Sequence, residues 1–488
     1  MSTRRRPNCC IALLLYACLQ VGIVHGSPGR NTSPNMSGWV STLQAGAGQV
    51  GIQVVALPAG RVVLEYQSHT PLVPASLNKV LTSYAALKKL GPYFHFLTEV
   101  RALPVCQNGV LAGDLWVKGL GDPFLPLEKA WILAQKVKHQ GVRVIEGGVT
   151  IDNSFFQPPT ETICLDEKCD RPYNPVLAAT SVEFNTLTFK LQPGPQVGGP
   201  VRIETFPPGD YALVENQATT ARAHAVESAI HLESQQVTAD GRERFVVTGQ
   251  LPAEPEDGIE IRRNVADPAA FFARSFKAML GQAGIEVRGA GIGAGKMPAE
   301  AGKLAEYESV PLGDMLYGLN RYSNNFMAEM LLRDLGAAII GAPGTEAKGL
   351  AVVRQTLLEM GVPGPEVELD SGSGLSRTSR ISPHALCKVL TAAYQDFSIA
   401  PEFLSSLASI GQEGTLRRRL PRLPEQVIIR GKTGSLRDVV GFAGYVSGPA
   451  TGVHAVVILL NAVQRPDQAR KAIDSLLSQL AGAPYKGN

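Results

Sequence analysis

Three short groups of residues carry the hydroxyls, amines and amides that acyl transfer requires. The first is Ser76-Leu77-Asn78-Lys79. On a helix, positions i and i+3 share a face, so Lys79 can reach the Ser76 hydroxyl. Pro74-Ala75 stands just ahead and marks a helix entrance. The start of a helix favours negative charge developing near Ser76. An apolar stripe beside Lys79 would strip water from the amine and release its proton. The free amine is then a base able to activate the serine. Read alone, the same four residues also suit an N-cap serine and a solvated lysine.

The second group is Ser323-Asn324-Asn325. Residues two apart do not share a helix face. If Ser323 and Asn325 point into one site, a turn must separate two helices here, and Asn320 to Asn324 suits such a break. Ser323 would then pass a proton to a leaving amine, and Asn325 would hold a substrate amide. A plain helix cap is the competing reading. The third group is Lys432-Thr433-Gly434. On a strand, 432 and 434 face the same way. Lys432 offers a cation to a carboxylate. Gly434, lacking a side chain, would let a substrate backbone lie close. The Ser435 N–H would sit beside it, paired with the Ser76 N–H as an oxyanion hole. A strand running into a loop is the ordinary alternative.

The flanking sequence supplies an element for each group. Gln49–Ala56 and Arg61–Gln67 read as strands around the turn Pro58-Ala59-Gly60. Leu77, Val80, Leu81, Tyr84 and Leu87 recur at helical spacing over about 76–90, and Gly91-Pro92 ends the run. Leu312–Leu319, Asn325–Leu335 and Ala347–Met360 read as helices. Gln426–Ser435, Val439–Val446 and His454–Ala462 read as strands, followed by a last helix, Pro466–Leu480. Between the first helix and this C-terminal part, 93–305 has a different texture of short strands, glycines and prolines. Two helix–turn–strand units, Ala130–Ile151 and Ala270–Ile292, repeat within it. Gly289-Ala290-Gly291-Ile292-Gly293 has a nucleotide-loop look, but no helix clearly follows, so it reads as a loop.

The 488 residues are 44% hydrophobic and 18% charged, enough for several domains. Arg4, Arg5 and Arg6 precede an apolar run, Ile11 to Val24, then Gly26 and Ser27: a secretory signal over 1–26. Cys18 loosely resembles a lipoprotein site, with bulky Tyr16 against it. Removing 1–26 takes three arginines from a chain of charge +3 and leaves it neutral, which excludes nucleic acid as the main partner. No later stretch is apolar enough to span a bilayer, so membrane contact is at most peripheral. Cys106, Cys164, Cys169 and Cys387 remain after the signal. Cys164 and Cys169 bracket four residues in a polar stretch, and a small-loop disulfide is expected in an oxidising compartment; two free thiols is the alternative. The histidines His69, His95, His139, His224, His231, His384 and His454 show no ligand spacing, so no metal and no cofactor are expected.

The order Ser-x-x-Lys, Ser-x-Asn, Lys-Thr-Gly is shared by penicillin-binding proteins and serine β-lactamases. The chain resembles in particular the low-molecular-mass class C penicillin-binding proteins, the D-alanyl-D-alanine carboxypeptidase/endopeptidases. The resemblance covers nearly all of the mature chain. It rests on Pro74-Ala75-Ser76 with Lys79, Gly119-Leu120-Gly121-Asp122-Pro123, Asp152-Asn153-Ser154, Asn320 to Asn325, Gly372 to Arg377, Gly414-Thr415-Leu416 and Lys432-Thr433-Gly434-Ser435. Ser371 stands where that family has the aspartate of Asp-Gly-Ser-Gly, with Asp370 one place early.

The resemblance implies a mixed α/β (α+β) fold. A β-lactamase/transpeptidase-like catalytic domain (27–92 and 306–488) is interrupted by a nested insertion (93–190 and 251–305, with a small β domain at 191–250). The 247 positions between Ser76 and Ser323 fit such an insertion. It implies Ser76 as nucleophile, Lys79 as base, Ser323 as proton relay, Asn325 for amide binding and Lys432 as electrostatic anchor. Thr433 and Gly434 would meet substrate. Asp152 and Arg377 would line the pocket for the third residue of the peptide, Asp152 meeting a free amine. The partners implied are peptidoglycan stem peptides and, as covalent inhibitors, β-lactams, acting in the periplasm. A β-lactam hydrolase and a non-catalytic wall-binding scaffold are the competing functions.

Overall fold

The computed structural model describes residues 36–103, 108–158, 163–222, 229–254, 257–420 and 423–483. The signal segment and Cys106 lie outside these residues.

Alternating apolar positions build a six-stranded sheet from both ends of the chain. Its order is Arg61–Tyr66, Ala47–Leu57, Gly452–Val463, Val439–Gly448, Ile428–Leu436, Ala408–Ser409. All its neighbours are antiparallel. Period-2 geometry sends Val456, Ile458 and Leu460 to one face and Ala455, Val457 and Leu459 to the other. The first face packs against helices Met36–Gln44 and Pro466–Leu480. The second packs against Asn78–Leu90, Leu312–Arg321, Asn325–Ile339 and Pro383–Gln395. Every residue from Asn78 to Leu87 is buried, so this helix is the core of this half. At roughly 1.5–3 kcal/mol per large apolar side chain, Leu77, Val80, Leu81 and Leu87 anchor it firmly. The helix Pro383–Gln395, opened by Pro383 and capped by Ser382, was not foreseen from the sequence.

The segment between the halves carries its own sheets and core. The repeated units lie side by side. Glu286–Val287 pairs in parallel with Val144–Ile145, and Ile292–Ala294 with Val149–Asp152, while helices Leu127–His139 and Pro268–Gln282 pack together. The glycine run therefore ends in a short strand. A Cβ at Gly148 would lie 1.7 Å from the Gly291 carbonyl oxygen, so these glycines let the two backbones touch. The strand Thr186–Gln192 pairs with Ile259–Asn264, so the small β region reaches beyond 191–250 on both sides. Among the described residues no helix is long and apolar enough to cross a membrane.

Candidate active site

Ser76 lies in a single helical turn, Ala75–Leu77, that runs into the helix Asn78–Leu90. Ala75 holds φ at +49°, a conformation costly for a residue with a Cβ. The turn is pressed from two sides. A Cβ at Gly374 would lie 1.9 Å from the Ala75 carbonyl oxygen, and one at Gly434 2.6 Å from that of Pro74. The missing Cβ of Gly434 therefore makes room for the Ser76 turn, where its spacing had suggested a substrate backbone.

Lys79 is fully buried, with Nζ 3.0 Å from Ser76 Oγ, 2.6 Å from Asn325 Oδ1 and 2.8 Å from the Ser373 carbonyl oxygen. Burial lowers its pKa from 10.5 to about 7, against the charge of Glu329, which raises it. A neutral amine suits the three neighbours. In that form two N–H groups serve Asn325 and Ser373, and the lone pair is left to accept from the Ser76 hydroxyl, whereas the ammonium form donates to all three.

The expected break between helices is present. Ser323 has φ +59° and sits between Leu312–Arg321 and Asn325–Ile339. The Asn324 side chain caps the second helix by accepting from the Met327 N–H. Lys432, also fully buried, donates to Ser323 Oγ and to the Thr433 carbonyl, both at 2.8 Å. Burial, then the nearby Lys79 amine, holds Lys432 well below the usual ammonium range. Two amines in so dry a space do not both stay charged.

Ser76, Ser323, Asn325 and Ser435 line one cleft of about 560 Å³, with Asp166, Tyr173, Arg377 and Arg437. Thr433 stands at the edge of the Lys432 strand, its hydroxyl 2.9 Å from that of Thr415. Arg377 pairs with Asp438. Its loop is gathered by Asp370, which accepts from the hydroxyls of Ser376, Thr378 and Ser379. Ser371 contributes its carbonyl to Asn78 and its hydroxyl to the Gly374 N–H.

Asp152 departs from expectation. Its carboxylate is fully buried at a strand end. It accepts from the N–H groups of Ser154 and Met297 at 2.8 and 3.0 Å and pairs with Lys118 at 3.3 Å. It does not line the cleft. The acid that does is Asp166, on a loop closed by the disulfide Cys164–Cys169, whose Cα atoms are 5.0 Å apart. Tyr173 donates to Asp166 at 2.6 Å, and the Tyr173 carbonyl accepts from Asn325 Nδ2 at 2.8 Å.

Sequence reading also missed Glu329. This buried carboxylate accepts from the N–H groups of Gly372 and Ser373, at 3.2 and 2.8 Å, and so fixes the carbonyl that holds Lys79. The signal was one acid inside the apolar run Phe326–Leu332.

The antiparallel sheet and the helices packed around it form a β-lactamase/transpeptidase-like fold. Residues 41–480 match the D-Ala-D-Ala carboxypeptidase 3 (S13) family, and the chain belongs to it. It is a serine-type D-alanyl-D-alanine carboxypeptidase. Over 415 residues it is 30% identical to the D-alanyl-D-alanine carboxypeptidase of Actinomadura sp. strain R39, covering 82% of this chain and 75% of that one. Over 443 residues it is 27% identical to DacB of Haemophilus influenzae, covering 90% of each. The crystal structure of penicillin binding protein 4 (dacB) from H. influenzae matches 92% of this chain and 99% of its own, with a TM-score of 0.76 and 24% identity.

Proposed function

We propose that Ser76 is the nucleophile of this carboxypeptidase and that peptidoglycan stem peptides are its substrates. The reading rests on one observation: the Lys79 amine, its pKa near 7, lies 3.0 Å from Ser76 Oγ. Lys79 accepts the Ser76 proton as Oγ attacks the carbonyl carbon of the penultimate D-alanine. Negative charge on that carbonyl oxygen is met by the N–H groups of Ser76 and Ser435. Ser323, held by Lys432, donates a proton to the departing amine and takes back the one Lys79 received from Ser76, leaving Lys79 neutral again. The C–N bond breaks, D-alanine leaves and an ester remains on Ser76. Water, losing a proton to the same base, cleaves the ester, and Lys79 passes that proton to Oγ to restore the serine. Asn325 holds the peptide amide. Asp166 takes the role first given to Asp152, meeting a free amine on the third residue of the stem, with Arg377 beside it. If the departing amine belongs to a second stem, the same steps cut a cross-link. β-Lactams acylate Ser76 by the first half of this path. The N-terminal segment supports export to the periplasm.

Intact-mass measurement after benzylpenicillin treatment tests the assignment. One adduct is expected on the wild-type chain and none on Ser76→Ala. An adduct of equal yield on the variant would reject Ser76 as the nucleophile.

A further inference from the structure

Three segments far apart in sequence bring two imidazoles and a carboxylate together away from the cleft. His69 follows the strand Arg61–Tyr66, Glu366 ends the single turn Gly364–Glu366, and His384 lies in the first turn of Pro383–Gln395. None of the three lines the Ser76 cleft. His69 Nδ1 is 2.7 Å from Glu366 Oε1, and His384 Nδ1 is 2.8 Å from Oε2. The two rings lie 4.3 Å apart, centre to centre, at 39°. One ligand atom from each residue falls within 4.8 Å of the others.

The cluster is built on braced backbone. The His384 N–H donates to the Ser68 carbonyl at 2.8 Å, and the Ser382 N–H to that of Glu366 at 3.0 Å. Leu72 and Ile381 exchange two further hydrogen bonds, at 3.0 and 2.9 Å. The Ser382 hydroxyl donates to the Glu366 carboxylate, a supporting contact of the kind that orients metal ligands. Glu366 is 6% exposed. The His69 side chain is 62% exposed and leaves an entry path from solvent.

We propose that His69, Glu366 and His384 bind one first-row transition ion of the Zn²⁺ class, with water completing its coordination. Two imidazole nitrogens and one carboxylate oxygen suit Zn²⁺, Co²⁺ or Ni²⁺ and disfavour Mg²⁺ and Ca²⁺. An ion with tetrahedral ligands at about 2.0–2.1 Å separates them by roughly 3.3 Å. The two His–Glu contacts are about half an ångström tighter than this, and the three ligand atoms all lie within 4.8 Å of one another, so side-chain adjustments admit the ion. The ion takes the place of the two Nδ1 protons. Each ring then carries its proton on Nε2 and stays neutral, and the site holds −1 of protein charge against +2. Bound there, the ion ties the turn seven residues ahead of Ser76 to the helix Pro383–Gln395. The inference does not depend on the catalytic assignment.

Calorimetric titration of the mature chain with ZnCl₂ is the test, with MgCl₂ as control. One Zn²⁺ per chain is expected, with affinity at least tenfold lower in both His69→Ala and His384→Gln and no binding of Mg²⁺. His69 is exposed enough that its replacement leaves the fold intact, which the unchanged penicillin acylation of that variant checks. Absence of Zn²⁺ binding to wild type at millimolar ion, or binding of equal strength in both variants, would overturn the proposal.

Discussion

Lys79 and Asn325 lie 246 positions apart in sequence and 2.6 Å apart in space, amine nitrogen to amide oxygen, across the floor of the cleft. When Lys79 is neutral, the contact spends one of its two N–H groups and aims the lone pair at Ser76. Lys79→Ala should therefore slow acylation by benzylpenicillin by about a hundredfold to ten-thousandfold, the range for loss of a positioned base. Stopped-flow acylation rates check this; a loss under threefold would contradict the role.

Acylation should rise with pH through about 7, where burial sets Lys79 to lose its proton. Glu329 raises that pKa, so Glu329→Gln should move the midpoint to lower pH. The pH profile of the acylation rate constant reports both, and a midpoint moving upward would refute the electrostatic account.

Asp122 and Asp334 are a pair of buried carboxyls, 3% and 2% exposed. Burial raises Asp122 to about 7, and burial together with Asp122 raises Asp334 well above its ordinary value. An acid whose pKa is raised on folding is favourable to the native state when protonated. The stability it contributes is complete below about pH 4 and is lost as pH rises toward 7, by a few kcal/mol at most. In Asp122→Asn, the amide oxygen keeps the Phe124 N–H contact and the amide nitrogen takes the place of an unpartnered oxygen. That variant should melt higher than wild type at pH 8 and lose much of the slope between pH 4 and 7. Thermal unfolding across that range is the measurement.

Asp166→Ala should lower kcat/KM about tenfold to a hundredfold for stem peptides with a free amine on the third residue, the cost of one lost charged contact. Peptides acetylated at that amine, and benzylpenicillin, should be nearly unaffected. Reduction of Cys164–Cys169 should mimic this loss in part, since the disulfide closes the loop that bears Asp166. Equal losses on free and acetylated peptides would argue against amine recognition.

The cluster of Ser76, Lys79, Ser323 and Lys432 was readable because its groups sit on or beside regular elements. Helical spacing joined Ser76 to Lys79, and the alternation around Lys432 marked its strand. Periodicity says nothing about which end of a loop turns toward the cleft, so Asp152 and Asp166 could not be told apart before the strand Val149–Asp152 was seen to bury the first. Gly434 was placed on the correct strand but given the wrong neighbour, because only the tertiary approach of Pro74 reveals what its missing side chain avoids. Glu329, Arg333 and Asp334 are buried charges on the mostly apolar helix Asn325–Ile339; the sequence shows the i,i+4 spacing of Glu329 and Arg333 but not the Gly372 and Ser373 N–H groups that Glu329 accepts from. His69, Glu366 and His384 were invisible as a set because ligand spacing is a local signal and they are brought together by three separate segments.

The Tyr173 carbonyl takes one of the two N–H groups on the amide nitrogen of Asn325. The inserted segment thus furnishes part of the wall against which an incoming peptide must compete. Pruning the chain back to its two terminal portions would not yield a smaller version of the same enzyme. It would open that flank to bulk solvent, and selectivity for one kind of stem would go before the capacity to be acylated.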